Sequence, residues 1–260
     1  MAESLALFSV FGKPIVHSLS PNLHNYAFRV SNRTAFYFPT EVAPSELVLK
    51  LEAFRCLGGQ GVNLTRPLKE SVLPLLIRQS EWVQVSGAAN TLVWTKEGWV
   101  GENTDCQALY RRLPQASGEP ALILGAGGVA RATAAVLSRR GYEVWVAARN
   151  PRQVVFTQKT LRWEERLTPM SWAVVVNATP LGQLGEGDES QWPRPVAGGL
   201  AVDWVYRPRR TTFLDGAEKA GARIIDGLGL LVDQAAISWL SWFGTEGPRE
   251  AMWEAVQAWS

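Results

Sequence analysis

Cysteine is scarce: the 260 residues contain two, Cys56 and Cys106, with no CxxC or Cys/His spacing. That excludes a disulfide framework and a cysteine zinc site, and it fits a reducing, cytoplasmic compartment. Histidine is as rare, with only His17 and His24, so a multi-histidine centre is excluded and no metal is expected. Charge of one sign is missing too. Lys and Arg number 26 against 24 Asp and Glu, a formal net charge of +2, which implies neither nucleic acid nor a membrane surface as partner. The pairs Arg139-Arg140 and Arg209-Arg210 are too short for a binding stripe. No uncharged apolar run approaches the roughly 18 residues of a membrane-spanning helix. The N-terminus, Met1-Ala2-Glu3-Ser4-Leu5, carries no basic region, and its apolar run stops at Gly12-Lys13-Pro14. It reads as a first strand and not as a signal peptide.

Hydrophobic residues make up 47% and charged residues 19%, the balance of a folded chain whose length predicts two domains. Tryptophan is abundant at 12 and is assigned to packing. Leu5–Val10, Phe36–Thr40 and Gly61–Leu64 read as strands, and 22–30, Ser45–Phe54 and Leu68–Ile77 as helices. Thr91–Trp94 and Trp99–Gly101 suit a hairpin across Lys96-Glu97-Gly98. This alternation predicts an α/β domain with a largely parallel sheet. Beyond the polar stretch Pro114–Pro120 the rhythm becomes that of a doubly wound sheet. Strands are expected at Ala121–Leu124, Glu143–Ala147, Ala173–Asn177, Leu200–Val205 and Arg223–Ile225, with helices at Val129–Arg140 and Thr211–Ala220. A helix at Leu230–Phe243 and an amphipathic stretch at Glu250–Trp259 close the chain.

Gly125-Ala126-Gly127-Gly128-Val129-Ala130 satisfies the dinucleotide pattern G-x-G-x-x-G/A, after an apolar strand and at the opening of a helix. Gly125 permits the tight turn and Gly127 lets the backbone approach a pyrophosphate. Ala130 keeps helix and strand close, and unpaired helix N–H groups face the phosphates. At the end of the next strand an NAD site usually places a carboxylate for the ribose 2′-hydroxyl. Here Arg149 stands there, with Arg152 nearby. A guanidinium suits a 2′-phosphate, each charge-assisted bond contributing about 1.5–3 kcal/mol, so the predicted cofactor is NADP.

Upstream, the loops after the candidate strands carry hydroxyl, amide and ionisable groups: Ser18-Leu19-Ser20-Pro21, Asn63-Leu64-Thr65-Arg66-Pro67-Leu68-Lys69, Ala88-Ala89-Asn90-Thr91 and Asn103-Thr104-Asp105. Such groups converging at the carboxyl ends of strands suit a polyhydroxylated ligand. Singly, each is an ordinary cap, turn residue or ion pair.

In order, these segments resemble the shikimate dehydrogenase family over nearly the whole chain, from Phe11-Gly12-Lys13-Pro14 to Gly227-Leu228-Gly229-Leu230 and Asp233-Gln234-Ala235. The resemblance implies two α/β domains: a discontinuous substrate domain, 1–104 with 229–260, and a Rossmann-type NADP domain, 105–228. It implies reversible NADPH-dependent reduction of 3-dehydroshikimate to shikimate, by a monomer or homodimer. Ser18 and Ser20 would bind the carboxylate, and Asn63, Thr65, Asn90, Asp105 and Gln234 the ring hydroxyls. Lys69 and Asp105 would be the catalytic pair, with Tyr206 toward the substrate. Thr179, Val205, Gly227 and Leu230 would join the glycine loop on the cofactor side.

The chain departs from the family's usual residues at Ala148 and Asn150, which flank Arg149, at Cys106 and Ala108 after Asp105, and at Leu230; Arg66 is also unusual. His17 is expected to pack against or orient the Ser18 loop. Two other readings compete: an NAD-using quinate/shikimate dehydrogenase, opposed by the missing carboxylate near Arg149, and a non-catalytic NADP-binding regulatory homologue, opposed by Lys69, Asp105 and Gln234.

Overall fold

The computed structural model describes residues 5–183 and 191–257, whose backbone hydrogen bonds form two separate six-stranded sheets. Each sheet belongs to its own unit. One unit holds the chain up to Gln107 and from Val232 onward; the other is Ala108–Leu231.

The first unit contains β1 (Ala6–Gly12), β2 (Ala35–Glu41), β3 (Gly59–Leu64), β4 (Arg78–Gln79), β5 (Thr91–Thr95) and β6 (Gly98–Glu102), ordered β2-β1-β3-β5-β6-β4. The predicted hairpin is present as β5 and β6. Because it folds back, β5 runs antiparallel to both β3 and β6, so the sheet is mixed; the other five strands run the same way, and the sheet is largely parallel as expected. Its helices begin with α1 (Ser20–Val30), α2 (Leu47–Cys56), α3 (Leu68–Ser71), α4 (Glu81–Ser86) and α5 (Thr104–Arg112). Helix α1 starts two residues before the expected Asn22, with Pro21 in its first turn, where the missing N–H costs nothing. The helix expected over Leu68–Ile77 is broken: α3 ends at Ser71 and a 3-10 turn follows at Leu73–Leu75. Pro74 cannot donate to an α-helical ladder, and Ile77 N–H instead donates to Trp99 O at 3.0 Å. Leu51, Phe54, Val62, Leu64, Leu68, Leu92 and Trp99 fill the core.

The second unit contains β7 (Pro120–Leu124), α6 (Gly128–Arg139), β8 (Glu143–Ala148), β9 (Thr160–Arg162), β10 (Val174–Asn177), β11 (Leu200–Asp203), α7 (Thr212–Lys219) and β12 (Arg223–Ile225). The order is β12-β11-β10-β7-β8-β9 and every pairing is parallel. This is the Rossmann order, with its switch point between β7 and β10, where ligands collect beyond the carboxyl ends of the strands. The strand expected to reach Val205 stops at Asp203, whose carboxylate accepts from Val205 N–H at 2.9 Å.

Two more helices follow, α8 (Gly227–Phe243) and α9 (Arg249–Gln257). Helix α8 starts three residues before the expected Leu230 because Asp226 Oδ1 accepts from Gly229 N–H at 2.7 Å, an N-terminal cap. The last two residues of the expected amphipathic stretch lie outside the described residues. The tryptophans serve packing where they are most enclosed: Trp172 and Trp239 are buried, and Trp242 packs on Phe8 while its indole N–H donates to Leu92 O.

Candidate active site

In the first unit, strand register brings the candidate residues together. Asn63 on β3 pairs with Thr91 on β5, which pairs with Glu102 on β6. Leu64 N–H donates to Asn90 O at 2.8 Å and Asn90 N–H to Glu102 O at 3.0 Å, so the loops of Thr65, Asn90 and Thr104 emerge at one end of the sheet. The loop after β1 joins them: Thr65 N–H donates to Phe11 O, and Lys13 N–H to Arg66 O. A Cβ on Gly12 would collide with Thr65 Cγ2, so this approach needs glycine.

Lys69 and Asp105, 36 residues apart in sequence, form an ion pair at 2.7 Å. Their side chains are 24% and 19% exposed, enclosed enough to be held and open enough to meet a ligand. Asp105 occupies the first turn of α5, where helix N–H groups favour a carboxylate. Lys69 O accepts from Ala89 N–H at 2.8 Å, tying the pair to the Asn90 loop. Thr65 is half-buried. Ser18 Oγ accepts from Ser20 N–H at 3.3 Å; Ser20 is buried.

Asn63, Asn90 and Gln234 share a buried polar cluster. Asn63 Nδ2 lies 2.9 Å from Thr91 Oγ1, 3.1 Å from Ser238 Oγ and 3.3 Å from Asn90 O, while its Oδ1 accepts from the Tyr37 hydroxyl at 2.8 Å. Two amide protons facing three acceptors leave this side chain little to offer a ligand beyond its second oxygen lone pair. Asn90 Oδ1 accepts from Thr104 N–H at 2.7 Å, and Thr104 Oγ1 reaches Gln234 Oε1 at 3.4 Å.

Sequence reasoning placed Thr104 in a candidate loop but missed Tyr37 and Ser238 as parts of this cluster, as well as buried His24, which stacks on Tyr37 with ring centroids 4.5 Å apart. Burial raises the Tyr37 phenol well above its ordinary range, opposed by a hydrogen bond from Ser20. Burial pushes His24 down to about 3; neither of its nitrogens has a hydrogen-bond partner among the described residues. The expectation for His17 is corrected: His17 is exposed, and the Ser18 loop is closed instead by Ser18 N–H donating to Ile15 O.

In the second unit the glycine segment lies between the carboxyl end of β7 and α6. Gly125 has φ +105°, and a Cβ there would sit 3.0 Å from Thr179 Cγ2 and 3.1 Å from Ala178 O. Gly127 is the N-cap of α6, without a side-chain cap and with no acidic residue in the first turn. A Cβ on Gly127 would meet nothing within 4 Å. Open space before uncapped helix N–H groups is what a pyrophosphate requires, so these residues fit a dinucleotide. Ala126, Gly127 and Gly128 are exposed, Val129 is half-buried and Ala130 is buried. Arg149 and Arg152 are exposed just beyond β8, which pairs with β7.

Thr179 and Val205 are set by one buried knot. Asn177 Oδ1 accepts from Thr179 N–H and Oγ1–H, its Nδ2 donates to Asp203 Oδ1, and Asp203 also accepts from Val205 N–H and from the Thr211 hydroxyl. Burial raises Asp203 to about 6 despite these bonds. Gly227 packs directly on the Val205 carbonyl. Leu230 is buried, while Tyr206 is half-buried. Gly125, Thr179, Val205 and Gly227 thus form one chain of contacts. Among the described residues, no three His, Cys, Asp or Glu gather as a metal site, and no helix is long and apolar enough to cross a membrane.

Known proteins with this arrangement are found by comparison. Residues 10–92 match the shikimate dehydrogenase substrate binding domain, and residues 227–257 match the shikimate 5′-dehydrogenase C-terminal domain. Shikimate dehydrogenase (NADP(+)) of Pelobacter propionicus is 36% identical, covering 97% of this chain and 96% of its own. That of Salinibacter ruber is also 36% identical, with 97% of each chain covered. The crystal structure of shikimate 5-dehydrogenase from Thermus thermophilus, in complex with NADP(H) and shikimate, superposes with a TM-score of 0.84 at 33% identity. It covers 97% of this chain and 98% of its own.

Proposed function

The chain belongs to the shikimate dehydrogenase family, and we propose that it catalyses the reversible NADPH-dependent reduction of 3-dehydroshikimate to shikimate, with Lys69 and Asp105 managing the proton. The observation that supports this most is the Lys69–Asp105 ion pair at 2.7 Å, in the same unit as the Asn90 and Gln234 amides.

When bound, the nicotinamide supplies the hydride in reduction and accepts it in oxidation. Gly125, Ala126, Gly127, Gly128, Val129 and Ala130 hold the pyrophosphate at the start of α6, and Arg149 and Arg152 hold the 2′-phosphate. Thr179, Val205, Gly227 and Leu230 line the remainder of the cofactor site. Ser18 and Ser20 bind the substrate carboxylate, and Thr65, Asn90 and Gln234 hold its ring hydroxyls. Asn63, already engaged by Tyr37, Thr91 and Ser238, contributes its second oxygen lone pair, and Tyr206 faces the substrate.

Lys69 gives one ammonium proton to the oxygen of the carbonyl being reduced, and its positive charge stabilises the alkoxide as it forms. Asp105 accepts the hydrogen bond from Lys69, holding the amine in place, and binds the adjacent ring hydroxyl. In the oxidation direction the same amine takes the proton from the alcohol. The substrate domain, 1–104 with 229–260, and the NADP domain, 105–228, divide this work. The protein's partners in this reading are the two small molecules, and it acts as a monomer or homodimer. The reducing cytoplasm suits its two cysteines, Cys56 and Cys106, which form no disulfide with each other.

The test is absorbance at the reduced-nicotinamide band with shikimate or quinate and either NADP+ or NAD+. Turnover of shikimate with NADP+, far above the other combinations, is expected. No turnover overturns the reading, and equal efficiency with NAD+ overturns the assignment of Arg149.

A further inference from the structure

Three hydroxyls in the first unit are given no ligand above: Thr91, Thr104 and Ser238, all fully buried. They come from the start of β5, the start of α5 and the middle of α8. Yet Thr91 lies 2.9 Å from Ser238 and 3.1 Å from Thr104, and Thr104 lies 3.2 Å from Ser238. The Thr104 hydroxyl also reaches two of the amides around it. It is 3.0 Å from Asn90 Nδ2, 3.1 Å from Asn90 Oδ1 and 3.4 Å from Gln234 Oε1.

A hydroxyl has one proton to donate and two lone pairs to accept with. Asn90 Oδ1 already accepts from Thr104 N–H at 2.7 Å and lies 3.1 Å from the Thr91 hydroxyl. The arrangement that satisfies every buried atom therefore has Thr104 Oγ1 accepting from Asn90 Nδ2 and donating to Gln234 Oε1. Ser238 donates to Gln234 O at 3.0 Å and accepts from Asn63 Nδ2. The two ends of an amide have nearly the same shape, so its partners alone decide which way round it sits. A flipped Asn90 would turn its NH2 group toward the Thr104 N–H, donor against donor. In the observed orientation one N–H of Asn90 is held by Thr104 and the other is left for a ligand.

We propose that Thr104, packed against Thr91 and Ser238, is a positioning residue for the substrate, locking the amides of Asn90 and Gln234 in the orientation that receives the ring hydroxyls. The proposal rests on reading those two amides as substrate ligands. The Thr104 hydroxyl bonds to amides and hydroxyls, whereas the Lys69 amine bonds to Asp105, so loss of that hydroxyl falls on substrate binding and not on proton transfer.

Thr104→Val removes the hydroxyl and keeps the branched shape; Thr104→Ser keeps the hydroxyl. Steady-state kinetics of the full chain with shikimate and NADP+ separate the two. For Thr104→Val, KM for shikimate is expected to rise about tenfold or more, the size of one lost hydrogen bond to a buried site amide. The rise spares KM for NADP+, and Thr104→Ser restores wild-type behaviour. Ser238→Ala, which removes one packed hydroxyl and nothing else, raises the same KM by a smaller factor and serves if the valine variant does not fold. An unchanged KM for shikimate in Thr104→Val, or in Ser238→Ala when the valine variant is lost, overturns the proposal; so does a serine variant as impaired as valine. Wild-type protein that fails to oxidise shikimate sinks the underlying reading instead, an outcome distinct from either.

Discussion

In the first unit the groups proposed to meet the substrate are side chains: Lys69 and Asp105, which hold each other, and Asn90 and Gln234, which contact hydroxyls drawn from separate elements. In the second unit the groups proposed to meet the cofactor are mainly backbone, the bare start of α6 after a glycine turn. A single knot of Asn177 and Asp203 orders the loops beside it. The contrast follows from the ligands. A ring bearing several hydroxyls needs individually aimed donors and acceptors, whereas a pyrophosphate needs concentrated N–H dipoles and room. A site made of side chains is broken by removing a polar atom, and one made of backbone by adding a carbon.

The largest effect expected on the side-chain site is from Lys69→Ala. Deleting a general acid with its compensating charge lowers kcat by about three orders of magnitude or more, with KM for shikimate changing little. A kcat within about tenfold of wild type would remove the amine from the chemistry.

A second effect sets the buried ionisable groups of the two units against each other, with opposite signs. His24 is lowered to about 3 by burial, so between pH 6.5 and 3 the unfolded chain binds a proton that the native chain refuses. Its contribution is full above pH 6.5 and is lost as pH falls, on the order of 5 kcal/mol across the whole window. Asp203 is raised to about 6 by burial, so between its unfolded value near 4 and pH 6 the native chain holds the extra proton. That contribution is present below pH 4 and is lost as pH rises, on the order of 3 kcal/mol. Denaturant titrations at pH 4, 5, 6 and 7 read both. Relative to wild type, His24→Leu gains stability as the pH falls, and Asp203→Asn gains stability as it rises. Parallel curves for either variant and wild type would refute its assignment.

Next come the glycines, which probe the backbone-built site. Gly125→Ala places a Cβ 3.0 Å from Thr179 Cγ2 at a φ of +105°. It is expected to cost about 1–3 kcal/mol of stability and to weaken NADP+ binding. Gly127→Ala meets no protein atom, so it weakens NADP+ binding while the melting temperature holds. Equal losses of stability in the two would mean that the loop is not shaped as described.

The backbone-built site was the more legible in sequence, because strand, glycine turn and helix are contiguous over Ala121–Arg140 and their period is local. The hairpin was legible for the same reason. What escaped depends on contacts between distant segments. Ser238 lies in a helix that reads as Leu, Ile, Ala and Trp, and it meets Asn63 from 175 residues away; nothing local distinguishes it from any small core residue. Strand β4 has two residues, too few for a period, and forms only because β6 offers an edge. The apolar spacing over Leu68–Ile77 carries no record of the N–H that Pro74 lacks, and α3 ends at Ser71. His24 and Tyr37 carry no motif at all, and only burial gives them a role.

The smallest effect concerns one of the two arginines on which the cofactor choice leans. Arg149 stands one residue beyond β8, exposed, so water competes for its guanidinium and part of its bond to a 2′-phosphate is screened. Arg149→Ala is therefore expected to raise KM for NADPH about tenfold, the low end for a charge-assisted bond. KM for NADH, which lacks that phosphate, stays level. Added salt shrinks the difference between the two cofactors more in the wild type than in the variant, which keeps only Arg152 to be screened. A variant that loses NADPH and NADH equally would mean that Arg149 shapes the loop and does not read the phosphate. Cofactor choice in this chain would then fall to Arg152 and the backbone beside it.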